Sequence, residues 1–152
     1  MWSLTNYGSI QPFIKDKFLK AMKNVLGTRR KGNIGEDIAC EFLIGKNFHI
    51  SDRNYLKRWG ELDVVAEKDG ITHFFEIKSV TNNFGDKLHD THRAEDNVDG
   101  WKMRKLRRII ETYLSEKGNH GLETAFKFHV LCVYMSMSSR TARVKWLKDI
   151  II

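Results

Sequence analysis

The sequence predicts an α/β domain with a central mixed sheet flanked by helices. Three observations carry this. Two runs rich in β-branched and aromatic residues, 60–68 and 71–78, flank Asp69-Gly70, the strongest short-range hairpin signal. Segments 34–44 and 98–117 repeat apolar residues at helical spacing. A further alternating run, 126–134, supplies another strand. With 152 residues, 41% of them hydrophobic, and the single proline Pro12, the chain suits one folded domain with an ordinary core. No apolar run approaches the roughly 18 residues of a membrane span. The N-terminus lacks the apolar stretch of a signal peptide. A cytoplasmic protein without membrane insertion is therefore expected. Cys40 and Cys132 stand apart among apolar neighbours and read as buried thiols in a reducing compartment.

Taken in order, residues 1–31 form a basic arm. Ile10, Phe13, Ile14, Phe18, Met22, Val25 and Leu26 recur at helical spacing, with Lys15, Lys17, Lys20 and Lys23 between them. This predicts an amphipathic helix over 10–26 that docks on the core, with phosphate or membrane-surface contact as alternatives. The net charge of +7 is concentrated here, because residues 1–34 carry +6 and the remainder only +1. Residues 32–152 form the domain proper. Gly32 or Asn33 can cap the 34–44 helix, whose buried stripe is Ile34, Ile38, Phe42 and Leu43, and Gly45 ends it. Glu36 lies in its first turn, where an acid suits the helix dipole. A first strand over 48–53 places Phe48 and Ile50 on one face. Lys57, Arg58 and Trp59 follow, a charged stretch with a stacking surface suited to a nucleic-acid backbone, or else an ordinary solvated turn.

With Asp69 and Gly70 as the central turn residues, Phe75 faces Val64 and Phe74 faces Val65. The same register sets Glu76 against Asp63 and Lys78 against Glu61. Asp63, Glu76, Lys78 and Glu61 then share one face, and Leu62, Val64, Phe75 and Ile77 share the other. Directly opposed residues lie about 5 Å apart at Cβ, and like charges there are destabilising. Two carboxylates converging beside a lysine make an oxygen-rich site for a hard cation. The plainer alternative is an exposed face on which Lys78 neutralises one acid.

The later chain supplies further candidates. Residues 79–100 read as a long loop that faces substrate, in which His89, Asp90 and His92 only weakly resemble a metal set. The 98–117 helix buries Met103, Leu106, Ile110, Tyr113 and Leu114 and ends at Gly118. Its first three turns carry Lys102, Arg104, Lys105, Arg107 and Arg108 with no acid between Trp101 and Ile110, a phosphate-tracking face. Strand 126–134, a turn at 136–139 and a last strand at 143–147 complete the chain.

Asp63, followed thirteen residues later by Glu76-Ile77-Lys78, resembles the Asp…Glu-x-Lys signature of the PD-(D/E)xK nuclease superfamily, whose members share the restriction-endonuclease-like fold. Gly35-Glu36, Arg53-Asn54, Gly60-Glu61-Leu62-Asp63, Phe75-Glu76-Ile77-Lys78 and Lys102…Leu106…Tyr113-Leu114 follow in an order that resembles the YraN family, small bacterial proteins regarded as endonucleases. The likeness spans about residues 32–150. It departs where a basic residue before Gly35 is replaced by Asn33 or Ile34, where an arginine is replaced by Val80, and where an aspartate is replaced by His129. The change at 80 takes away a secondary phosphate contact, and no proposed metal ligand is lost. The resemblance implies that residues 32–152 are a nuclease-like domain. Asp63, Glu76 and the Ile77 carbonyl would bind Mg²⁺ or Mn²⁺, Lys78 would orient water and stabilise phosphoryl charge, and Glu36 would hold a second ion or an ordered water. DNA, structured or branched, is the expected partner, and homodimerisation stays open. The competing reading is a non-catalytic nucleic-acid-binding module of the same fold, and a third is a scaffold or membrane-peripheral adaptor using the 10–26 helix.

Overall fold

A computed structural model describes residues 11–13, 34–81, 100–118, 125–136 and 138–152. In chain order the elements are β1 (Gln11–Phe13), α1 (Ile34–Ile44), β2 (His49–Lys57), β3 (Gly60–Lys68), β4 (Ile71–Thr81), α2 (Gly100–Glu116), β5 (Phe126–Ser136) and β6 (Thr141–Leu147). The strands form one sheet in the order β1-β6-β5-β4-β3-β2. Among the described residues only β4 and β5 pair in parallel, so the sheet is mixed, as expected. A parallel pair needs a crossover connection, and α2 lies within it. No helix among the described residues is long and apolar enough to cross a membrane.

The hairpin follows its turn chemistry. Asp69 and Gly70 take φ of 52° and 74°, the left-handed pair that a two-residue turn requires. The ladder then holds Val64 against Phe75 and Val65 against Phe74, the predicted register. Alternation feeds two cores. Val64, Ala66, Phe75 and Ile77 pack with Ile38, Phe42 and Leu43 of α1. Val65 and Phe74 pack with Ile109, Ile110, Tyr113 and Leu114 of α2. Fully burying each such side chain contributes about 1.5–3 kcal/mol, so both faces of the central strands are committed. Cys40 and Cys132 are buried and unbridged.

Several expectations are corrected. Gln11–Phe13 is a strand on the free edge of β6, not the start of a helix. Pro12 breaks no inner ladder on an edge strand. The rest of the 10–26 helix, the 27–33 linker and the His89, Asp90 and His92 group lie outside the described residues. Asn47, at φ 65°, rather than Gly45 takes the left-handed position after α1, and the Phe48 N–H returns to the Leu43 carbonyl. Strand β2 continues to Lys57, and Arg58-Trp59 becomes a two-residue turn into β3. Ser51 is the extra residue of a bulge between Ile50 and Asp52. The bulge re-aims the strand, so Ile50 packs on the α1 side while Asp52 accepts from the Tyr113 hydroxyl of α2 at 2.8 Å.

A second break matters more. The β2–β3 ladder pairs Arg53 with Val64 and Tyr55 with Leu62, leaving Asn54 and Asp63 unpaired between them. Asn54 has φ of 51°, a conformation asparagine tolerates better than most residues. Alternation slips there. Leu62 packs on the α2 side and not with Val64, Phe75 and Ile77 as expected. The β3–β4 pairs also stop at Val64–Phe75, so Asp63 and Glu76 are not a ladder pair.

Candidate active site

Asp63 lies where both ladders give way. Its Oδ2 accepts the Ile77 N–H at 2.7 Å, a side chain standing in for the missing main-chain acceptor. Burial pushes the Asp63 carboxyl up to about 6; the Ile77 bond works against this, and the charges of Glu76, Glu36 and Glu61 add to it. Glu76 and Lys78 share a face of β4, two residues apart, and Lys78 Nζ donates to Glu76 Oε1 at 2.7 Å. Burial opposes the Lys78 charge, but the bond to Glu76 and the nearby carboxylate of Asp63 leave its pKa above the ordinary lysine value.

These residues form one wall of a cleft of about 520 Å³. Gly60, Glu61, Asp63, Glu76 and Lys78 come from the sheet, and Lys102, Met103, Lys105 and Leu106 from α2. The apolar remainder is Ile109, Phe128, Val130 and Ile150. Lys102 Nζ comes within 3.7 Å of Glu76 Oε1. The structure therefore brings Asp63, Glu76 and Lys78 together, and adds Lys102, which sequence reasoning had placed with the phosphate-tracking bases alone. Its signal was position: it sits in the first turn of the helix that crosses over β4.

Glu36 does not line the cleft. It turns toward Arg53, whose guanidinium lies 3.8 Å from Glu36 and 2.6 Å from Asp37. Its charge still reaches Asp63. Among the described residues no three His, Cys, Asp or Glu side chains converge. Three carboxylates of the described residues line the cleft, Glu61, Asp63 and Glu76, and the candidate metal donors among them are Asp63 and Glu76. Carboxylate oxygens suit a hard divalent cation, and burying two of them near each other costs energy that such a cation relieves.

The basic candidates separate by partner. Lys57 is bound to Glu116 at 2.7 Å, and Arg58 is exposed in the β2–β3 turn. On α2, Lys102 and Lys105 line the cleft, Arg104 is exposed, Arg107 pairs with Glu111 at 3.5 Å, and the Arg108 guanidinium lies 4.7 Å over the Trp59 ring. Trp59 packs against the α2-side core beneath Arg108, so of the two readings of 57–59 the structure matches the turn with a partly packed tryptophan rather than the open stacking surface.

On the opposite face sequence reasoning missed a buried histidine pair. His73 Nδ1 and His129 Nε2 are 2.9 Å apart, and the Asp149 N–H donates to His129 Nδ1 at 3.1 Å. The second bond makes Nδ1 of His129 an acceptor, so its Nε2 donates to His73. Both rings stack with Phe75. Position 129 therefore faces away from the cleft, and its neighbour Val130 lines it.

Residues 35–133 match a family described as "Uncharacterised protein family UPF0102". The chain is 39% identical over 100 residues to a UPF0102 protein of Campylobacter lari, covering 66% of this chain and 80% of that one. It is 37% identical over 89 residues to a UPF0102 protein of Helicobacter hepaticus, covering 59% and 73%. A third, from Sulfurimonas denitrificans, is 34% identical over 93 residues, covering 61% and 78%. The matched span holds Glu36, Asp63, Glu76, Lys78 and Lys102.

Proposed function

This chain belongs to the YraN-like family UPF0102, and from that premise and its cleft we propose that it is a divalent-cation-dependent nuclease that hydrolyses phosphodiester bonds of nucleic acid, DNA in the first place, on the PD-(D/E)xK plan and its restriction-endonuclease-like fold. The observation that carries the reading is the meeting of Asp63, Glu76 and Lys78 in one cleft whose facing helix is basic. A chain selected only to fold gains nothing by taking Asp63 out of two ladders and burying it beside another acid.

Asp63 and Glu76, with the Ile77 carbonyl, would hold Mg²⁺ or Mn²⁺. Bound there, such an ion supplies Lewis-acid polarisation of the phosphate and a more acidic water. The chain's own residues do the rest. The Ile77 N–H fixes the rotamer of Asp63, as supporting hydrogen bonds fix ligands elsewhere. Lys78, kept charged by Glu76, can hold a phosphate oxygen and stabilise the charge that develops on it. Glu36 acts through its charge on Asp63. Lys105 lines the cleft, and Arg104 is exposed on the same helix, where the backbone of a long substrate can lie.

The test is a nuclease panel of duplex, single-stranded, flap and junction DNAs with and without Mn²⁺. Mn²⁺-dependent cleavage by the wild type, lost in Asp63→Asn and Lys78→Ala, is expected. Millimolar Mn²⁺ should also raise the melting temperature of the wild type and leave Asp63→Asn unmoved. A wild type that binds the panel intact and melts identically with and without Mn²⁺ identifies a binding module instead.

A further inference from the structure

Glu76 Oε1 is approached by two ammonium groups. Lys78 Nζ lies at 2.7 Å and comes from the same strand. Lys102 Nζ lies at 3.7 Å and comes from the first turn of α2, across the cleft. One carboxylate balances one of these charges. The two contacts also differ in kind, since 2.7 Å is a charge-assisted hydrogen bond and 3.7 Å is beyond hydrogen-bond range. The Lys102 side chain is 49% exposed, so it leaves Glu76 at little cost. Of the other bases of α2, Lys105 also lines the cleft, Arg107 is paired with Glu111, Arg108 is laid over Trp59, and Arg104 lies outside the cleft.

We propose that Lys102 is a second lysine of the active site, which shares Glu76 in the metal-free protein and holds a phosphate oxygen of the substrate once Glu76 is engaged by a divalent cation. The inference rests on the nuclease reading. Lys102 has two consequences that the bases on the outside of the helix lack. It competes with a cation for Glu76, so its removal tightens cation binding. It also reaches the reacting phosphate, so its removal slows cleavage more than it weakens DNA binding.

The experiment titrates the full chain with Mn²⁺, followed by intrinsic tryptophan fluorescence, in the wild type, Lys102→Gln and Arg104→Gln. Both variants remove one charge from the same helix, but only one removes a contact with Glu76. Lys102→Gln should bind Mn²⁺ about threefold more tightly than the wild type, as expected for losing one half-exposed ion pair, and Arg104→Gln should not. At saturating Mn²⁺, Lys102→Gln should lose about tenfold or more in kcat, on the scale of one lost charge-stabilising donor, with its Kd for uncleaved DNA in Ca²⁺ nearly unchanged. Lys102→Arg should recover part of that rate. Equal Mn²⁺ affinities in the two glutamine variants, or undiminished cleavage by Lys102→Gln, overturn the role of Lys102 while leaving the nuclease reading in place. A wild type with no Mn²⁺ response overturns both.

Discussion

At the scale of single residues, two buried titratable groups pull stability in opposite directions with pH. Burial pushes His129 down to about 4 from an ordinary 6.5, with the neighbouring His73 adding to the effect. Above pH 6.5 its ring is neutral folded or unfolded and contributes no pH dependence. As pH falls from 6.5 toward 4 the unfolded chain takes up a proton that the folded one refuses, and stability is lost, up to about 3 kcal/mol. Asp63 is raised to about 6 from 3.8, so its folded form keeps a proton that the unfolded chain has released. Its stabilising contribution is full below pH 3.8 and lost as pH rises through 6, again up to about 3 kcal/mol. The windows overlap, and because burial also holds His73 below its ordinary value, the metal-free wild type should lose stability only gently as pH falls from 6.5 to 4. Asp63→Asn removes one slope and should expose a steep acid loss. His129→Gln removes the other and should leave a protein that gains stability on acidification. Urea unfolding at half-unit pH steps measures all three; parallel curves for the wild type and Asp63→Asn would show that Asp63 is not desolvated.

At the scale of elements, α2 has two jobs that its sequence does not separate. Ile109, Ile110, Tyr113 and Leu114 anchor it to the sheet. Its bases divide between cleft and exterior, and the exterior ones offer phosphate contacts. Each phosphate neutralised on duplex DNA adds about 0.9 to the slope of log affinity against log salt. Arg104→Ala with Arg108→Ala should therefore flatten that slope by up to about two units. The melting temperature should drop slightly, because Arg108 lies over Trp59 and an exposed contact of this kind is worth about 0.5–1 kcal/mol. Fluorescence anisotropy across a salt series checks the slope, and an unaltered slope removes the outer face of α2 from the interface. Gly60, the first residue of β3, lies beneath α2, where an added Cβ would meet Ile109 at 3.4 Å, an ordinary contact.

At the scale of the whole molecule, β1 changes what the N-terminal residues are for. Gln11, Pro12 and Phe13 pair with Val144, Arg143 and Ala142, covering an edge of β6 that would otherwise be open. An uncovered edge is a template for association. Deleting residues 1–13 should cost roughly 1 kcal/mol or more through the lost strand pairing and raise the tendency to self-associate. Calorimetry and light scattering read the two effects. A truncated chain as stable and as monodisperse as the full one would mean that β1 contributes little to the sheet.

What the sequence determined by itself is what neighbouring residues decide together. Asp69-Gly70 set the turn, hence the Val64–Phe75 register, and strand alternation put Glu76 and Lys78 on one face. Helical spacing located α1 and α2. These signals were legible because turn chemistry and side-chain periodicity act over a few residues. The tertiary structure alone decided the rest. The face slip at Asn54 and Asp63 depends on how β2 meets β3, and Leu62 changed sides with it. The parallel pairing of β4 with β5 carries α2 across the sheet and brings Lys102 to Glu76, 26 positions away in the chain. It also sets Phe75 against His129, and so stacks the histidine pair on the far face. No local pattern encodes these contacts. Each exists only because apolar faces from distant segments must be buried together, and the polar groups that travel with them then meet.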